Sequence, residues 1–82
     1  MIFPTVHLNG TSKSYLQEQY SDARVAVSAA LEALYNINPN ARDYYVQGDT
    51  AFSQARKEHE ERIAALKKVL EDLTQIYMHV AE

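Results

Sequence analysis

The residues best suited to chemistry lie together in the middle of the chain, where Arg42, Asp43, Tyr44 and Tyr45 occupy four consecutive positions within the stretch Asn38–Asp49. Tyrosine rings offer flat surfaces for a base or another ring at little entropic cost. An arginine presents a planar fork to phosphate or carboxylate, and an aspartate accepts from ribose hydroxyls or orients the arginine. This combination suits recognition of a nucleotide. The alternative is internal: the two tyrosines would cover the open end of the fold while Arg42 and Asp43 tie a turn together. A second candidate is Asn9-Gly10-Thr11-Ser12, which places small hydroxyl and amide side chains directly before a helical pattern. Free N–H groups at the positive end of a helix dipole attract anions. Here the plain alternative is an N-cap made by Thr11 or Ser12, with an incomplete capping box because Ser14 stands where Glu or Gln would complete the one begun by Thr11. No Walker pattern and no G-x-G-x-x-G accompanies either segment.

Other chemistries find little support. His59-Glu60 resembles the start of a zincin helix, but Ile63 stands where the second metal ligand belongs, so no metal is expected. With no cysteine there is no disulfide, no thiolate site and no cysteine nucleophile. No spacing of Ser, His and Asp suggests a triad, and no cofactor is implied. The expectation is therefore a binding protein and not an enzyme.

Two segments of alternating three-and-four spacing must position these residues. The first runs through Leu16, Tyr20, Ala23, Val27, Ala30, Leu34 and Ile37, the stripe of a packed helix expected over residues 12–36 and stopped at Asn36-Ile37-Asn38-Pro39. The second runs through Ile63, Leu66, Leu70, Leu73, Tyr77 and Val80, widened by Val69 and Ile76. It belongs to a helix expected over residues 50–81 and capped by Asp49 or Thr50. In that helix's first half only Phe52, Ala55 and His59 continue the stripe. There Arg56, Lys57, Glu58, Glu60, Glu61 and Arg62 read as a solvated face laced by pairs such as Glu58 with Arg62. Residues 1–10 read as a short extended arm and 37–49 as a loop. The fold class is all-α: an antiparallel two-helix hairpin in a single domain.

A lone hairpin of 82 residues has one stripe per helix to bury against roughly 1.5 kcal/mol of conformational entropy per ordered residue. Its net stability is expected to fall near zero, so it should assemble into a homo-oligomeric bundle. Tyr15, Val25, Leu31, Tyr35, Val69 and Ile76 lie off the central stripes and would supply the second apolar face. Asn9–Ser12 and Arg42–Tyr45 stand at opposite ends of a helix about 37 Å long. One copy cannot combine them, whereas an antiparallel partner could.

Composition narrows the partners. Eight Lys and Arg against eleven Asp and Glu give a net charge of −3, the wrong sign for a duplex-binding protein, so no nucleic acid polymer is expected. Apolar runs are far short of the ~20 residues a membrane span needs. Met1-Ile2-Phe3-Pro4 lacks the basic start of a secretory signal, which leaves a cytoplasmic location as the expectation and sets aside the Asn9-Gly10-Thr11 sequon.

His7-Leu8-Asn9-Gly10-Thr11-Ser12 and Pro39-Asn40-Ala41-Arg42-Asp43-Tyr44-Tyr45, followed by Gln47-Gly48, together resemble a group of small bacteriophage and prophage helical-hairpin proteins that share this layout from end to end. Ser14 stands where those proteins have an acidic residue and Ala41 where they have Gly. The resemblance brings no catalytic residues. It implies a phage setting, host cytoplasm, and an anti-defence role in which a homo-oligomer holds a cyclic or ADP-ribose-type nucleotide through Arg42, Asp43, Tyr44 and Tyr45 with Asn9, Thr11 and Ser12. The second reading is an adaptor that docks on a host defence or phage assembly protein through its acidic middle and exposed apolar flank.

Overall fold

A computed structural model describes all of residues 1–82. It is all-helical, with two long helices and no strand: α1 spans Lys13–Asn36 and α2 spans Ala51–Ala81. Pairs that cross between the helices fix their sense. Lys13 reaches the Glu82 carbonyl, Arg24 meets Thr74, and Leu34 meets His59, so residue numbers rise on one helix as they fall on the other and the helices are antiparallel. Neither helix is long and apolar enough to cross a membrane.

Local sequence explains the ends. Ser12, in extended backbone, accepts from the Tyr15 N–H at 3.2 Å. Ser12 therefore caps α1 and Thr11 does not: Lys13 is the first helical residue, so the residue before it holds the cap position, from which its hydroxyl reaches the third N–H of the helix. At the other end Pro39 keeps Asn38 out of helical backbone and offers no N–H. Ile37 then turns back to the Leu34 carbonyl at 3.1 Å. Thr50 opens α2 through its carbonyl, which accepts from Gln54, but its side chain makes no capping bond.

The stripes pack with one exchange of partners. Leu16, Tyr20, Ala23, Val27 and Leu34 are half-buried as their spacing requires, but Ala30 is exposed and Leu31 is buried. Ala30 and Leu31 lie on either side of the stripe, each about 50° from its centre at 3.6 residues per turn. The larger side chain draws α2 to its side because it removes more apolar area from water. Leu31 thus belongs to the core and not to a second face. Ile37, beyond the last helical turn, is 55% exposed, and Val69 faces outward at 44%. On the charged half of α2 the ion pair is Arg56–Glu60 at 3.7 Å, with a further pair Lys68–Asp72 downstream. Glu58 and Arg62 do not pair with each other; both face the groove described below.

Residues 1–10 contain no strand or helix. The arm lies across the end of α2, where the Phe3 ring stacks on His79 with centroids 4.7 Å apart. It then turns at His7–Gly10, whose Gly10 N–H reaches the His7 carbonyl. A Cβ at Gly10 would stand 2.8 Å from the His7 ring, so a side chain there would make that exposed ring swing aside.

The hairpin is thin. It measures 61 × 21 × 17 Å with a radius of gyration of 18.4 Å, against about 12 Å for a compact domain of this length. Only Leu31, Val80 and His59 are buried. Because Leu31 carries so much of the α1 side of the core, Leu31→Ala should cost about 2–4 kcal/mol in urea unfolding. Val69→Ala, on the outer face, should change the stability of an isolated hairpin by less than about 1 kcal/mol. Equal costs at the two positions would contradict this packing.

Candidate functional site

The segment between the helices is folded on itself by two single-turn 3-10 helices, Ala41–Asp43 and Tyr45–Gln47. The first is capped by Asn40, whose side-chain carbonyl accepts from the Arg42 N–H at 2.9 Å while its backbone carbonyl accepts from Asp43. The tie in this turn comes from Asn40, not from a pair between Arg42 and Asp43. The second turn ends at Gly48, which adopts φ = 115°, a conformation that side chains disfavour.

This geometry separates the two tyrosines. Tyr44 is half-buried and its ring lies 6.3 Å from that of Phe52 on the first turn of α2, so it covers the end of the hairpin. Tyr45, one residue later, is 74% exposed. Arg42 and Asp43 are exposed beside them.

Beneath the loop runs a groove of about 660 Å³ between the end of α1 and the start of α2. Leu34, Ile37, Pro39, Ala51 and Ala55 form its apolar wall, and Asp43, Tyr44, Glu58, His59 and Arg62 supply its polar groups. Of the four loop residues singled out by type, Asp43 and Tyr44 line this groove, whereas Arg42 and Tyr45 stand outside it. Two carboxylates against one guanidinium make it a poor phosphate site by itself.

His59 is the residue whose role the sequence only half revealed. It continues the Phe52-Ala55 stripe, as its spacing suggests, and it is buried. Its Nε2 lies 2.9 Å from the Leu34 carbonyl. A carbonyl can only accept, so Nε2 carries a proton and donates it. The Leu34 carbonyl, which also accepts from the Ile37 N–H at the end of α1, uses its second lone pair for His59. The charged half of α2 thus reaches across to cap the C-terminal end of α1, and one polar side chain gives the loop end its fixed geometry.

Asn9, Thr11 and Ser12 are exposed at the far end of α1. Twenty-four helical residues separate that cap from the loop, about 36 Å at 1.5 Å per residue. Within one chain the two candidate segments do not meet.

Near the middle of the hairpin Arg24 forms a separate cluster. Its Nε donates to the Thr74 hydroxyl at 3.2 Å, that hydroxyl donates to the Leu70 carbonyl at 2.8 Å, and the guanidinium lies 4.7 Å above the Tyr77 ring. No carboxylate pairs with it.

If His59 holds the loop end by capping α1, His59→Leu should lower unfolding stability by about 1 kcal/mol through the lost hydrogen bond. His59→Ala should lower it by about 2–3 kcal/mol, because a cavity is added. Urea midpoints unchanged in both would remove the capping role. Comparison with models of protein families, with curated proteins and with solved structures finds no match for this chain.

Proposed function

We propose that this chain is a non-catalytic binding protein that works as a homo-oligomer and sequesters a nucleotide-derived signal of the cyclic-nucleotide or ADP-ribose type. The site would be built from two copies, in the phage anti-defence setting that the resemblance implies. The observation that carries the reading is the mismatch between surface and mass. The hairpin exposes 6281 Å², whereas a compact monomer of 9.3 kDa exposes about 5,000 Å². The excess exceeds the ~800 Å² per partner of a standard interface, an area that a second copy would cover.

The chemistry of a single end supports a shared site. At the loop end, Arg42 and Tyr45 are exposed side chains of the kind that grip a phosphate and stack on a base, but Asp43 and Glu58 repel phosphate there. At the cap end, the first N–H groups of α1 have no partner within the helix and favour anions, and the rings nearest Asn9, Thr11 and Ser12 are those of His7 and the exposed Tyr15, but no arginine stands there. Each end lacks what the other has.

The adaptor reading draws on Tyr45 and Val46, an exposed pair at the loop tip with 74% and 77% of their surface in water. Its acidic middle is weakened by the pairing of Glu60 with Arg56. Calorimetry with a panel of cyclic di- and trinucleotides and cyclic ADP-ribose separates the two. A sponge binds at least one of them, and Arg42→Ala and Tyr45→Ala each weaken binding by about ten- to a hundredfold, since a charge-assisted hydrogen bond or a stacked base contributes roughly 1.5–3 kcal/mol. Both side chains are exposed, so the melting temperature of the free protein should not move. No heat with any member of the panel overturns the reading.

A further inference from the structure

A shallow trough of about 470 Å³ lies in the cleft between α1 and α2, with Arg24, Val25, Ser28 and Glu32 on the α1 side and Leu70 and Thr74 on the α2 side. Three features set it apart. Ser21, Val25, Ser28, Glu32 and Tyr35 follow one another at intervals of 4, 3, 4 and 3, a second helical seam beside the one that packs on α2, with Ser21 half-buried and the other four exposed. Val25 is 67% exposed and Tyr35 54%. The central residues are small, which lets another helix approach closely. Arg24 and Glu32 border the same trough without a partner: the ion pairs in the chain are Arg56–Glu60 and Lys68–Asp72.

Arg24 and Glu32 stand four residues to either side of Ser28. A two-fold axis through Ser28, with the two α1 helices antiparallel, brings Arg24 of each copy to Glu32 of the other, and Ser21 of each to Tyr35 of the other. The face is therefore complementary to itself, as an isologous contact requires. Arg24 is already oriented by Thr74 and the Tyr77 ring, so little freedom is lost when a carboxylate arrives.

We infer that the trough is the seat of a second copy of this chain, docked antiparallel through α1 about a two-fold axis at Ser28. The inference deepens the proposed function, because one register fixes both ends. Ser12 lies sixteen residues from Ser28, about 24 Å along the axis. In the other direction Leu34, level with His59, is about 9 Å from Ser28, and α2 runs about 12 Å further to its start at Ala51. The cap of one copy therefore comes level with the 3-10 turns of the other to within a few ångströms. The same axis generates two such alignments per dimer, each setting Asn9–Ser12 at the axial height of the loop end that carries Arg42–Tyr45 in the partner copy.

The chain has no cysteine, so Ser28→Cys is a clean probe. Small residues at the crossing of helices about 8 Å apart put facing Cα atoms within disulfide range. Mild oxidation of the full-length S28C protein should give a covalent dimer in high yield. In sedimentation, Glu32→Arg alone and Arg24→Glu alone should each weaken association at least tenfold. The double variant should restore it, and an equimolar mixture of the two single variants should pair with each other. Should R24E fail to fold, S28C and E32R still decide. An S28C protein that associates but does not crosslink, or an E32R protein that associates like the parent, overturns the inference. These readouts use no nucleotide, so they stand or fall separately from the calorimetry.

Discussion

Two helices packed side by side can each hide one stripe and no more, and most of what shapes this molecule follows from that limit. The core contains Leu31 and Val80 as its only buried apolar residues. Around it most of the remaining stripe positions are half-covered, while Ala30 and Ile37 of the stripe and Tyr15, Val25, Tyr35 and Val69 beside it lie in the open. Apolar burial contributes about 25 cal/mol per Å², while every ordered residue costs backbone and side-chain entropy. A rod 61 Å long and 17 Å thick has an unfavourable ratio of the two. The exposed seam on α1 is the natural place for that deficit to be met.

Polar side chains supply the geometry that so small a core cannot. His59 fastens α2 to the end of α1, Arg24 is clasped by Thr74 and Tyr77, Asn40 winds the first 3-10 turn, and Lys13 reaches the carbonyl of Glu82. These contacts are spread along the rod at its two ends and its middle. They set the register of the hairpin, and so the spacing between cap, trough and loop on which a two-copy site depends.

The helices and their order were legible in the sequence because a stripe at alternating three and four matches the pitch of a helix and not the two-residue repeat of a strand. Pro39 leaves little choice about where α1 stops. The exchange of Ala30 for Leu31 was not legible. Both lie at the stripe's edge, and which one turns inward depends on where α2 leans, a tertiary fact that no local pattern carries. The loop was half legible. Its residue types pointed to recognition, but the separation of Tyr44 from Tyr45 depends on two short turns set by Asn40 and Gly48, whose hydrogen bonds outweigh any periodicity. For the candidate site, composition identified the residues while distance along α1 keeps them apart in one chain. The trough was hidden because Ser21, Ser28 and Glu32 are not apolar, and only the absence of ion-pair partners for Arg24 and Glu32 draws notice to that face.

The central claim is that a hairpin with this surface is completed by copies of itself. The most direct measurement is the midpoint of thermal unfolding over a hundredfold range of protein concentration, without added ligand. Association of the folded state makes the midpoint rise steadily with concentration by mass action, and sedimentation at the upper end should report a multiple of 9.3 kDa. A sharp midpoint independent of concentration, with a single species of one chain's mass throughout, would contradict the account.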